Sequence, residues 1–133
     1  MSLLKKNLSP LVYSCSGCSS AAQMSNWLAL QLDRQQLAEM SCIAGVGGNV
    51  KKLVRLAASG RNIIAIDGCP LACTKACLAN HNISADLHLE LSDFGIRKNQ
   101  HEDFDYAEAR ELLEIIKEKY FDEKTTVQNT LTV

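Results

Sequence analysis

Asn62-Ile63-Ile64-Ala65-Ile66-Asp67-Gly68-Cys69-Pro70 is the stretch that decides the fold. Ile63, Ile64 and Ile66 are β-branched, and no polar residue interrupts the run up to Asp67. A strand with both faces apolar is covered on both sides, as in the middle of a parallel sheet. Asp67-Gly68 breaks the strand. Pro70 then stands where a first helical position belongs, since its missing N–H would have no partner there. Strand, sharp break and helix make up half of a βαβ unit.

The same alternation continues outward in both directions. Upstream, residues 10–14 form a short apolar strand, Ser16-Gly17 turns the chain, and 19–32 reads as a helix. Met24, Trp27, Leu28 and Leu32 recur at helical spacing in it and form a core-facing stripe. A second strand is predicted over 38–43, then a tight loop over 44–49. The next helix carries Val50, Leu53, Val54, Leu56 and Ala57 and stops near Gly60. Downstream, the helix opened by Pro70 runs to Asn80. Residues 86–91 alternate Leu87, Leu89 and Leu91 against His88 and Glu90, the pattern of an edge strand with one wet face. A last helix over 106–120 is capped by Asp105, with Glu108 three residues on. Residues 122–133 are polar and aperiodic and read as a tail, leaving 1–121 as a single domain.

Four strand–helix repeats joined by right-handed crossovers predict an α/β fold: a three-layer, open, mostly parallel four-stranded sheet with helices on both faces. The expected strand order is the flavodoxin-like 2-1-3-4. Its switch point lies between strands 1 and 3, at the rim where such sheets bind ligands.

The cysteines favour that rim. Cys15 and Cys18 follow the first strand, Cys42 comes after Glu39-Met40-Ser41 at the end of the second, and Cys69 and Cys73 follow the third, with Cys77 one helical turn further. Cys15-Ser16-Gly17-Cys18 is a C-x-x-C pair, whose spacing lets two sulfurs close on one tetrahedral ion. The same spacing at a strand–helix junction also suits redox chemistry. Cys69, Cys73 and Cys77 lie on one helical stripe. If all three are helical, the outer two are separated by about 12 Å of rise. Two sulfurs on one zinc stand only about 3.8 Å apart, so Cys69 and Cys77 share an ion only if Cys69 lies off the helix. Six thiols exceed the four of one closed zinc site. Bystanders, two ions or a bridged cluster remain open, although the spacings match neither common ferredoxin pattern. Cys18 and Cys69 are expected at helix N-termini and Cys42 just ahead of one, where exposed N–H groups favour thiolate.

Other groups carry weaker signals. Gly45-x-Gly47-Gly48 leads into a helix without the Lys and Ser/Thr of a phosphate loop and reads as a tight turn. Asp67 is placed to hydrogen-bond its loop or to offer an oxygen ligand. His81 follows Cys77 at ligand spacing but reads as a solvated helix end; His88 and His101 read as surface residues. No Ser/His/Asp set or carboxylate pair emerges, so no catalytic residue is assigned.

Net charge is −1 and no Lys/Arg run is long enough to track a phosphate backbone, which argues against nucleic acid. Hydrophobic residues make up 47% of the chain, enough for a core, yet no run approaches a bilayer span. Lys5-Lys6 and the stretch to Cys15 only faintly imitate a lipoprotein leader, because Pro10 and Tyr13 interrupt it. The expectation is a soluble cytoplasmic protein with no membrane partner. There cysteines serve as ligands or reactive thiols more often than as disulfides.

Asp67-Gly68-Cys69-Pro70-Leu71-x-Cys73, together with Cys15-Ser16-Gly17-Cys18-Ser19 and Ser41-Cys42-Ile43-Ala44-Gly45-Val46-Gly47-Gly48, resembles the DGC-domain family, named for its Asp-Gly-Cys triplet. The resemblance runs from about Leu11 to Ile116. It implies zinc as cofactor, ligated first by Cys15, Cys18, Cys69 and Cys73, with Cys42 and Cys77 in second rank. The expected function is zinc binding at the strand C-termini, in metal handling, in sensing or as an accessory subunit. The alternative is a thiol oxidoreductase or sulfur carrier using Cys15 and Cys18 as the attacking and resolving pair.

Overall fold

The computed structural model describes residues 8–122; the Lys5-Lys6 pair and residues 123–133 of the expected tail lie outside them. Four strands, β1 (Leu11–Ser14), β2 (Glu39–Met40), β3 (Ile63–Asp67) and β4 (Leu87–Glu90), form one sheet in the order β2-β1-β3-β4. Every pairing is parallel. β1 and β3 pair in register from Leu11 opposite Ile63 to Ser14 opposite Ile66. The two central strands are buried throughout, as their uninterrupted apolar runs require.

The helices are α1 (Ser20–Arg34), α2 (Ile43–Gly47), α3 (Lys51–Ala57), α4 (Cys73–Ala79) and α5 (Tyr106–Phe121). α1 and α5 cover one face of the sheet. Met24, Leu28 and Leu32 from α1 and Ala109, Leu112 and Ile116 from α5 pack there on Val12, Ile64, Ile66 and Leu89. Trp27, partly buried, sits at the margin of this layer against Phe104 and Tyr106. α2, α3 and α4 cover the other face, where Val46, Ala57 and Leu78 meet Leu11, Tyr13, Ile63 and Ala65. Burying an Ile or Leu side chain contributes about 1.5–3 kcal/mol, so the two layers dominate the stability.

α5 has the cap its sequence predicts, Asp105 accepting the N–H groups of Ala107 and Glu108, and α1 starts one residue later than expected because Ser19 caps it, accepting the Ala22 N–H. The glycine-rich segment differs from expectation. Instead of a loop over 44–49, Ile43–Gly47 forms a short helix, and β2 is cut to two residues because Cys42 already caps it. Its glycines serve packing: a Cβ on Gly45 would overlap the Leu53 side chain, and one on Gly47 would lie 3.1 Å from Cys77 Sγ.

Candidate metal centre

β1, β2 and β3 all end at one rim of the sheet, and the cysteines follow them there. Cys15 is the residue after β1, Cys42 stands two beyond β2, and Cys69 two beyond β3. The Cys15 N–H continues the ladder by donating to Ile66 O at 3.0 Å. Cys15 is 9% exposed, and its thiol accepts the Gly68 N–H at 3.2 Å and lies 3.0 Å from Ser25 Oγ. That one contact docks the C-x-x-C loop onto the Asp-Gly-Cys loop. Burial pushes the Cys15 thiol up; the Ser25 and Gly68 hydrogen bonds oppose this, and the charges of Asp67 and Cys73 add to it. The Cys77 thiol is pushed up by burial first, then by Cys73 and Asp67. These couplings tie Cys15, Cys73 and Cys77 to one electrostatic neighbourhood.

Each member of the triplet has a distinct physical role. Asp67 is 1% exposed, and its carboxylate accepts the N–H groups of Thr74 at 2.7 Å and Lys75 at 3.3 Å, with His88 Nε2 at 2.8 Å. It therefore caps α4 from the end of β3, the loop-bonding role foreseen for it. Gly68 has no room for a side chain: a Cβ would lie 2.7 Å from the backbone C and O of Ala21. Cys69 is partly exposed and lies ahead of the helix that follows.

α4 starts later than the sequence suggests. Pro70 does not occupy its first turn; residues 69–72 form a turn closed by Ala72 N–H to Cys69 O at 3.0 Å, with Ala72 left-handed at φ 50°. Leu71, in that turn, is 71% exposed. Cys73 takes the first helical position that Pro70 was expected to hold. With Cys69 off the helix, the helical rise no longer separates it from Cys77. Cys18 precedes the α1 cap, and Cys42 itself caps α2, its Sγ accepting the Gly45 N–H at 3.3 Å.

A segment unmarked in the sequence reading crosses the rim. Ser20 at the start of α1 exchanges hydrogen bonds with Asn99, its N–H donating to Asn99 O at 2.8 Å and its Oγ accepting the Asn99 N–H at 2.9 Å. On either side, Lys98 Nζ donates to Cys69 Sγ and Cys18 Sγ donates to Gln100 Oε1, both at 3.4 Å. The strap occupies one thiol from each motif. His81 is also not simply solvated, since its Nε2 lies 2.8 Å from Val46 O, and His88 is held by Asp67. Both roles arise from long-range contacts that no local pattern encodes.

All six cysteines are free thiols. Among the described residues, no group of three or more His, Cys, Asp or Glu side chains stands close enough to hold one ion. The donor chemistry suits zinc, because thiolates are its preferred structural ligands. In these positions the sulfurs share a rim without closing a cage, and Cys18, Cys42 and Cys73 are exposed. No helix among the described residues is long and apolar enough to cross a membrane.

The chain is 60% identical over 103 residues to the anaerobic and virulence modulator AnvM of Pseudomonas aeruginosa, spanning 77% of this chain and 79% of that protein. No solved structure matches. The DGC domain model matches residues 11–116, which takes in the whole sheet, all six cysteines and most of α5, and the chain therefore belongs to the DGC domain family.

Proposed function

We propose that this protein is a zinc-binding modulator whose rim thiols take up the ion reversibly. The observation that carries the reading is the Gly68 N–H to Cys15 Sγ contact, which brings two distant cysteine motifs together at the ends of β1 and β3. Cys15, Cys18, Cys69 and Cys73 would hold the ion, with Cys42 and Cys77 at the margin. Zinc would supply a closed tetrahedral tie between the two loops. Cys15 is the anchored member, and its partners reach it by side-chain rotation and by release from Lys98 and Gln100. Of the cysteines only Cys15 is buried, and none belongs to either apolar layer, which supports exchangeable binding over a structural ion needed for folding. The relative is described as a modulator, which favours sensing or regulation over catalysis.

The test is elemental analysis of protein purified without added metal, with thiol titration before and after chelation. The expected result is at least one zinc per chain, about four thiols masked until chelation, and a folded protein afterwards. Metal-free protein whose accessible thiols all react at once would overturn the reading. The redox alternative has one observation in its favour: Cys18 is exposed three residues from buried Cys15. The roles would then be reversed from expectation, with Cys18 attacking and Cys15 resolving, because an attacking thiol must be accessible and ionised. Metal-free protein that cycles a Cys15–Cys18 disulfide would establish it.

A further inference from the structure

The net charge of −1 conceals two faces of opposite sign. Residues 42–82, which supply the α2–α3–α4 layer, contain five Lys and Arg and a single carboxylate, the buried Asp67. Residues 102–118, most of them in α5 on the opposite face, contain seven carboxylates and two basic residues. Arg61 is engaged by Glu39 and Ser9 O. Lys51, Lys52, Arg55 and Lys75 are exposed and make no ion pair among the described residues. Lys51, Val54, Arg55 and His81 line a shallow groove of about 340 Å³ between α3 and the end of α4. Exposed Val50 borders it, and exposed Cys42 and Cys73 lie on the same layer.

We infer that the α2–α3–α4 face is a docking surface for an acidic segment of a partner protein, with Cys42 and Cys73 inside its footprint. Four unpaired cations beside exposed Val50 and half-buried Val54 match a partner that offers carboxylates around an apolar anchor. Single-stranded nucleic acid is the poorer match, since residues 42–82 contain no Phe, Tyr or Trp on which bases could stack. The inference rests on charge and shape, and it holds whether or not the rim takes zinc.

The test uses the full chain, reduced and metal-free, so its outcome is independent of zinc binding. The probe is a synthetic amphipathic peptide of Glu and Leu, about 16 residues long so that its anchors fall on one helical face. Amide shifts on titration should map to residues 42–55 and 73–82, and alkylation of Cys42 and Cys73 should slow. Affinity should fall with salt and drop about tenfold or more in the Lys51→Glu/Arg55→Glu variant. The Arg110→Glu/Lys117→Glu variant on α5 should bind as the parent does. Shifts centred on α5, equal binding by both variants, or tighter binding of a mixed-sequence oligonucleotide would each overturn the inference. Self-association abolished by Lys51→Glu/Arg55→Glu would assign the face to a second copy and overturn it as well.

Discussion

Replacing Gly68 with Ala tests whether the Asp-Gly-Cys loop is held by contact rather than by backbone freedom. The added methyl would meet Ala21 C and O at 2.7 Å and Ala22 N at 3.0 Å, all backbone atoms in the first turn of α1. Ordinary contact begins near 3.4 Å, so the loop must withdraw by roughly 0.7 Å. No flexible side chain is available to yield. Overpacking of this kind costs about 2–3 kcal/mol, which in a chain of this size lowers Tm by about 10 °C. Withdrawal also lengthens the 3.2 Å hydrogen bond to Cys15 Sγ, so that thiol should alkylate faster. Gly60→Ala is the control. Gly60 has φ 91° and open space around it, so its substitution costs only the left-handed backbone, about 1–2 kcal/mol, and should leave Cys15 protected. Calorimetry with mass-resolved alkylation reads both quantities. A Gly68→Ala protein that melts within about 2 °C of the parent, or whose Cys15 is no more reactive, would refute the docking of the two loops.

Asp67→Ala removes the acceptor of two backbone N–H groups and of His88, at a cost of about 3–5 kcal/mol if all three lose their partner in the interior. Hydrogen exchange at Thr74 and Lys75 should accelerate well ahead of exchange in β3. Thr74→Val should be neutral or stabilising by up to about 1 kcal/mol in chemical denaturation, because the buried Thr74 Oγ1 has no hydrogen-bond partner to lose. For pH, the Cys15 and Cys77 thiols are pushed up in the folded state by burial. Their contribution is complete below the ordinary thiol value near about 8.5 and is lost as pH rises through the folded values. Metal-free protein should therefore lose stability above about pH 8.5, and Cys15→Ala should flatten that decline in denaturation midpoints.

The parts of the fold legible in the sequence were those written in local periodicity. The apolar runs at 11–14 and 63–66 marked the central strands, and right-handed crossovers then gave the order β2-β1-β3-β4. The alternation of 86–91 marked β4 as an edge. Illegible were features in which one element answers another. Ile43–Gly47 reads as a turn because three of its five residues being small conceals a helix that exists to bring Gly47 over Cys77. Pro70 matched a helix-start rule, yet Asp67 already supplies the cap from β3, and the cap places the first turn at Cys73. His88 sits on the wet side of an edge strand by pattern; the neighbouring strand puts a buried carboxylate beside it. The strap over 97–100 carries no motif, since a Lys and a Gln on an irregular segment become meaningful only beside the thiols they meet.

The rim itself sets a physical order on whatever chemistry occurs there. Cys15 is held by a backbone N–H and by Ser25, is buried, and resists ionisation. A metal ion or an oxidant arriving from solvent therefore meets Cys18, Cys42 or Cys73 first, and Cys15 joins only after an exposed sulfur has been engaged. Engaging Cys18 or Cys69 breaks its contact with Gln100 or Lys98. The strap would then be held to α1 through Ser20 alone, while its far end runs into the Phe104–Tyr106 cluster that packs on Trp27. Capture at the thiols, as proposed, would in this way be linked mechanically to the loop between β4 and α5, on the opposite side of the sheet from the basic face. The proposed modulator role requires such a link, because an occupied site has to look different to a partner from an empty one.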